Sequence, residues 1–308
     1  MHHVLESQQF DRPLLEDLFK RADELRGMME AGERAKLQQV LQGKLLFNVF
    51  YEPSTRTRFS FAAGASHMGM NVVATENASQ FSSAIKGETL EDSIRVLCQC
   101  LPDIIVLRHP EKGAAKRAAS VSTVPIINAG DGAGQHPTQA LLDIYTIKRE
   151  LSRTDDITII IGGDLAHGRT ARSLAYLLTK FESVKVIFVS PPQLKIGDDI
   201  KEYLHKKGTY FEEQENLEST ISKADVVYWT RVQKERIKDD KLYRKVCNLY
   251  TIGASHMERM KGKAALLHPL PRINEIERCV DNDPRAAYFR QAANGVFIRM
   301  ALLEWIVR

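Results

Sequence analysis

Leu45-Leu46-Phe47-Asn48-Val49-Phe50-Tyr51, running straight into Glu52-Pro53-Ser54-Thr55-Arg56-Thr57-Arg58-Phe59-Ser60, is the stretch on which the fold turns. Its first half is a short apolar run of strand length, and its second half crowds hydroxyl and guanidinium groups into a turn that opens a helix. Similar runs follow at Asn71-Val72-Val73-Ala74-Thr75, Asp103-Ile104-Ile105-Val106-Leu107 and Val124-Pro125-Ile126-Ile127, separated by helical stretches. Buried parallel strands joined by crossover helices explain that alternation. Before the first run, Leu14 to Ala35 places Leu14, Leu15, Leu18 and Ala22 at helical spacing among charges, which predicts an amphipathic helix.

The alternation restarts with Asp156 and Ile157-Thr158-Ile159-Ile160-Ile161, then Val184 to Val189, Ala224 to Trp229 and Ala264 to Leu267. Between the two series, Asn128-Ala129-Gly130-Asp131-Gly132-Ala133-Gly134 has the composition of a junction loop and precedes a helix starting near His136. The expected fold class is therefore α/β, with two tandem doubly wound parallel-sheet domains and the active site in the cleft between them. The first is expected to span residues 1–134 plus a C-terminal helix at about 287–308, and the second residues 135–286. That last helix is read from Tyr288, Ala292, Phe297, Met300, Leu303 and Ile306 near helical spacing within Arg285 to Val307.

The 308 residues suit two domains at about 100–200 residues each, and 44% hydrophobic with 27% charged residues is an ordinary globular composition. A formal net charge of +4 is too small to mark a nucleic-acid binder, the more so because the cations lie in separate turns rather than along one stripe. Cys98, Cys100, Cys247 and Cys279 form no C-x-x-C pair, so neither zinc nor a disulfide framework is expected, and reduced thiols in a cytoplasm are. The chain opens Met1-His2-His3 and reaches Glu6 and Asp11 without an apolar stretch, and about 18 consecutive apolar residues occur nowhere. Neither export nor membrane insertion is expected.

Ligands of open α/β sheets bind at the C-terminal ends of strands, and the turns there are rich in arginine. A Ser-Thr pair before a helix is ordinarily a cap. Ser54, Thr55, Arg56 and Thr57 together at a strand end instead predict an anion site, where helix N–H groups, hydroxyls and a bidentate guanidinium meet a phosphate. Arg108 ends the third run. His136 and Gln139 lie one turn apart at a helix start. In the second series, Gly162-Gly163-Asp164 leads to Gly168-Arg169, with neither G-x-G-x-x-G nor a P-loop pattern. Arg231 and Gln233 follow another run, and His268-Pro269-Leu270-Pro271-Arg272 closes the last, its prolines fixing the local backbone. A Ser-His-Asp order and metal-ligand spacings are not evident, so the expected ligands are small, polyanionic and handled without metal or other cofactor.

Ser54-Thr55-Arg56-Thr57-Arg58, His136-Pro137-Thr138-Gln139, Thr230-Arg231-Val232-Gln233 and His268-Pro269-Leu270-Pro271-Arg272, in that order, resemble the aspartate/ornithine carbamoyltransferase family over essentially the whole chain. Ornithine enzymes typically carry Cys where this chain has Pro269, so the resemblance favours the catalytic chains of the aspartate branch. It implies carbamoyl transfer from carbamoyl phosphate to L-aspartate, an early step of pyrimidine synthesis. The same resemblance assigns phosphate to Ser54, Thr55, Arg56, Thr57 and Arg108, and the carbamoyl oxygen to Thr57, Arg108 and His136; like charge from Arg56 and Arg108 is expected to keep His136 a neutral imidazole. The carbamoyl NH2 falls to Gln139 and the Leu270 carbonyl. Aspartate falls to Lys86, Arg169, Arg231, Gln233, Leu270 and Pro271. Ser82 and Lys86, in Gln80 to Glu88, are implied to come from a neighbouring subunit, which means a homotrimer with shared active sites. Partnership with a regulatory chain or a dihydroorotase-like protein stays open. So do two other readings, an ornithine-type or other amino-acid carbamoyltransferase and a non-catalytic anion-binding homologue. Allosteric members carry Lys-Tyr where this chain has Ala166-His167, which predicts loss of that style of cooperativity.

Overall fold

The computed structural model describes residues 2–81, 83–237, 239–247 and 249–308. The chain divides into two compact units, Met1–Leu142 with Ala293–Arg308, and Asp143–Ala292. Helices Pro137–Leu151 and Tyr288–Val307 carry the chain from one unit to the other and back.

Among the described residues of the first unit, β1 (Leu45–Phe50), β2 (Asn71–Thr75), β3 (Ile104–His109) and β4 (Ile126–Asp131) form a parallel sheet in the order β2-β1-β3-β4. β1, β3 and β4 are almost wholly buried, as their apolar runs demand. β2 departs from the expected buried strand. It is the edge strand and leaves Val73 56% exposed. The Gly-rich junction departs too, since Asn128 to Asp131 belong to β4 rather than to a loop. Asn128 compensates for its burial by donating from Nδ2 to the Leu5 carbonyl at 2.9 Å and accepting from the Gly130 N–H at 2.8 Å.

The N-terminal helix is shorter than the periodicity suggested. It runs Arg12–Glu30 with Asp11 accepting from the Leu14 N–H, and Gly32 at φ 73 breaks it before a second helix at Arg34–Gln39. The C-terminal helix begins at Tyr288. Its last turns pack on helix Thr55–His67, where a Cβ on Gly64 would stand 3.0 Å from Met300 and the buried Arg299 donates to Ser60 Oγ at 2.7 Å.

In the second unit, β5 (Thr158–Gly162), β6 (Lys185–Val189), β7 (Tyr210–Gln214), β8 (Val226–Trp229) and β9 (Ala265–Leu267) form a parallel sheet in the order β7-β6-β5-β8-β9. Each sheet reverses its winding beside its first strand, between β1 and β3 and between β5 and β8, the place where open α/β sheets expose a crevice.

Gly162 and Gly163 follow from packing rather than from a phosphate loop. A Cβ on Gly162 would sit 2.1 Å from the buried Trp229 ring, and one on Gly163, at φ 99, would sit 2.1 Å from the Thr230 carbonyl oxygen. Thr230 in turn donates from Oγ1 to the Gly162 carbonyl at 2.9 Å. Gly162→Ala should therefore destabilise by about 1–3 kcal/mol through overpacking. The exposed helical Gly27, with nothing within 4 Å of its virtual Cβ, should instead tolerate alanine or gain about 0.5–1 kcal/mol. Thermal unfolding of the two variants checks this, and equal melting points would contradict it.

Candidate active site

Three adjacent strand ends carry the expected anion-binding groups of the first unit. β1 ends in the turn at Glu52 to Ser54, and helix Thr55–His67 starts there, with Ser54 at its N-cap position. The Ser54 hydroxyl makes no capping hydrogen bond to the helix. The first helical N–H groups and the positive end of the dipole thus face outward beside three hydroxyls. Ser54 is half-buried, Thr55 and Arg56 are exposed, and Thr57 is buried. Arg58 is used structurally: it pairs with Glu76 at 2.6 Å and lies over the Phe59 ring.

Arg108 lies within β3, not after it, as the register partner of Phe50. Parallel pairing thereby brings it to the end of β1, where the Tyr51 N–H donates to the Arg108 carbonyl at 2.9 Å. Its guanidinium is largely buried, pairs with Glu52 at 3.3 Å and donates to the Ala129 carbonyl at 3.4 Å. His136 follows β4 and is buried, with Nδ1 3.4 Å from Thr138 Oγ1. Its carbonyl accepts from the N–H groups of Gln139 and Ala140, so it starts the helix that also carries the buried Gln139.

What holds that loop in place is Asp131. Its Oδ1 accepts from the Gln135 N–H at 2.8 Å and from Asn128 Nδ2, and its Oδ2 accepts from the Gly113 N–H at 2.8 Å. Gly134 is required there because a Cβ would meet Asp131 Oδ1 at 2.5 Å. Lys86 closes a short 3-10 helix, Ser83–Lys86, after the edge strand β2, with its side chain exposed. Ser82 lies outside the described residues.

The second unit repeats the arrangement on β5, β8 and β9. Arg169 opens helix Arg169–Leu178 and is 8% exposed. A buried guanidinium at the positive end of a helix opposes the dipole, an arrangement that suits an anion held beside it. Arg231 and Gln233 follow β8 and are half-buried. Arg231 forms a forked pair with Glu235, at 2.5 and 3.0 Å. That pairing raises the guanidinium and holds the Glu235 carboxyl below its usual range.

Asp164, wholly buried at the end of β5, ties these two turns together. Its Oδ1 accepts from the His167 N–H at 3.1 Å and faces His167 Nδ1 at 3.0 Å, while Oδ2 accepts from the Gln233 N–H at 3.1 Å. After β9, Leu270 adopts φ 53 and is followed by a cis bond to Pro271. Arg272, next in the chain, pairs with Asp281 and donates to Tyr288 Oη at 2.9 Å.

Glu52, Asp131, Asp164 and Glu275 went unremarked in the sequence because isolated acids on turns are common; only Asp131 and Asp164 carried a signal, each being the acid of a Gly-rich strand end. Among the described residues no cluster of His, Cys, Asp and Glu has a metal-binding arrangement, and no helix is long and apolar enough to cross a membrane. The turns of the first unit offer guanidinium groups, hydroxyls, a helix N-terminus and an imidazole, and those of the second offer further guanidinium groups, chemistry that suits a phosphate or a developing oxyanion in the one and carboxylates in the other.

Residues 2–149 match the carbamoyl-P binding domain of aspartate/ornithine carbamoyltransferases, and residues 155–306 match the Asp/Orn binding domain. The chain is 54% identical to aspartate carbamoyltransferase 1, chloroplastic, of Pisum sativum, over 98% of this chain and 77% of that protein. It is 45% identical to the aspartate carbamoyltransferase catalytic subunit of Methanocaldococcus jannaschii, over 100% and 98%. The crystal structure of Trypanosoma cruzi aspartate transcarbamoylase in complex with carbamoyl phosphate and aspartate superposes with a TM-score of 0.93 at 40% identity, covering 99% of this chain and 96% of that one. This chain belongs to the aspartate/ornithine carbamoyltransferase family.

Proposed function

We propose that the chain transfers the carbamoyl group of carbamoyl phosphate to the α-amine of L-aspartate, giving N-carbamoyl-L-aspartate and phosphate. The observation that carries this reading is the placing of Arg108 at the register position of Phe50, beside the hydroxyl-rich helix start of Ser54 to Thr57. Phosphate would rest on Ser54, Thr55, Arg56 and Thr57. As the amine attacks, the carbamoyl oxygen gains charge, and Thr57, Arg108 and His136 would stabilise it. Gln139 and the Leu270 carbonyl would hold the NH2 group. Arg169 would take the α-carboxylate, and Arg231 with Gln233 the side-chain carboxylate, Arg231 exchanging its Glu235 partner for substrate. Pro271 would border the aspartate. The C–N bond forms as the C–O bond to phosphate breaks, so no protein nucleophile is needed.

The reading extends to a homotrimer in which Ser82 and Lys86 reach a neighbour's site. Its support is that Phe59, Val73, Ile85, Val96 and Leu101, all in the first unit, are more than half exposed, an apolar surface that a second copy would cover. Work in the cytoplasm belongs to the same proposal.

With carbamoyl phosphate, L-aspartate should be carbamoylated in the presence of EDTA, with hyperbolic saturation, and L-ornithine should not; a colorimetric ureido assay measures both. Preference for ornithine would contradict the assignment. Mixing inactive Lys86→Ala and Arg56→Ala chains should restore part of the activity in hybrids, and no recovery would contradict a shared site.

A further inference from the structure

Leu270 is a residue with a side chain held at φ 53, a left-handed conformation that favours glycine. Four buried side chains form a hydrogen-bonded network behind this peptide. The Leu270 N–H donates to His268 Nδ1 at 2.8 Å. His268 Nε2 lies 2.9 Å from Glu275 Oε1, and Glu275 Oε2 accepts from the N–H groups of Ile273 and Asn274, both at 3.1 Å. The His268 N–H donates to Gln291 Oε1 at 2.8 Å, and Gln291 Nε2 donates to Asp143 Oδ1 at 2.6 Å. His268, Gln291 and Asp143 are 1%, 1% and 0% exposed, and Glu275 is 6% exposed.

The hydrogen bonds select one form of the imidazole. Nδ1 accepts a backbone N–H and so carries no proton; Nε2 must then carry it and donate to the carboxylate. Glu275 accepts on both oxygens, which is the pattern of an ionised carboxylate. Burial works against its charge, but the bonds from His268 and the backbone outweigh this and hold the carboxyl below its usual range.

We propose that Glu275 is a positioning residue, acting through the Nε2–H of His268 to lock the Leu270 peptide so that its carbonyl is ready to accept from the carbamoyl NH2. The inference rests on the role given above to the Leu270 carbonyl. A buried carboxylate is an expensive device for holding a loop, and a neutral side chain would bring less desolvation cost. Its use here is explained by tautomer control: without an acceptor at Nε2 the imidazole can turn or exchange its proton, and Nδ1 then no longer holds the Leu270 N–H.

Ligand chemistry separates this role from general support of the fold. Acetyl phosphate carries a methyl group where carbamoyl phosphate carries NH2, so it cannot donate to a carbonyl. In Glu275→Leu, which leaves no acceptor for the His268 Nε2–H, affinity for freshly dissolved carbamoyl phosphate should fall about tenfold and kcat at least as much, while acetyl phosphate and inorganic phosphate bind within twofold of the unsubstituted protein. Equal losses for carbamoyl and acetyl phosphate, or no loss for either, would overturn the proposal. His268→Asn keeps an acceptor for the Leu270 N–H but leaves nothing for Glu275 to act through, so adding Glu275→Leu to it should bring no further loss; additive losses would count against the coupling. Should the variants fail to fold, nitrogen NMR of histidine-labelled unsubstituted protein at pH 8 decides: His268 must be the neutral Nε2–H tautomer, and the opposite tautomer or an imidazolium overturns the mechanism. Absence of aspartate turnover in the unsubstituted enzyme would instead defeat the functional reading and leave the tautomer result standing.

Discussion

Buried carboxylates that accept backbone N–H groups at strand ends are the constraint on which the rest of the structure depends. Asp131 closes the loop before His136, Asp164 joins the turn before Arg169 to the turn carrying Gln233, and Glu275 anchors the segment after His268. None of the three is matched to an arginine among these contacts. Their charge is compensated by oriented peptide dipoles together with the side chains of Asn128, His167 and His268, each bond to a charged group contributing about 1.5–3 kcal/mol against a desolvation cost of several. A loop tied at two or three N–H groups to one rigid carboxylate has little freedom left. That rigidity matters because a preorganised donor acts on a developing charge without first having to reorient.

Such an arrangement also leaves the guanidinium groups available for exchange. Glu52 on Arg108 and Glu235 on Arg231 are partly exposed carboxylates on turns, and a substrate phosphate or carboxylate offers each arginine an equivalent partner. The loop geometry does not depend on those pairs, since the buried acids fix it separately.

Much of this was legible in the sequence. Long apolar runs located the buried strands, and the hydroxyl and arginine cluster after Phe50 located the anion site, because burial and charge at a strand end leave local marks. The edges were harder. Tyr210–Gln214 is a polar strand at the sheet margin, invisible to a search for apolar runs, and Asn128 to Asp131 looked like a loop because small and polar residues pack in β4 only where Asn128 satisfies its own bonds. The helix predicted through Ala35 stops near Gly32, a positive-φ position that periodicity cannot register. Least visible were the organising acids. Asp164 and Gln233 are joined by a bond spanning 69 positions, and nothing in the local chain announces it.

A buried carboxylate that ties turns of one unit should govern the chemistry of that unit and leave the anion site of the other unchanged. Replacing Asp164 by Asn removes charge without removing bulk, and inorganic phosphate and aspartate report on the two halves separately. Steady-state kinetics and phosphate titration on Asp164→Asn should show the KM for aspartate raised at least tenfold, about 1.4 kcal/mol, with phosphate affinity within twofold of the unsubstituted enzyme. An unchanged KM, or an equal loss of phosphate affinity, would contradict it.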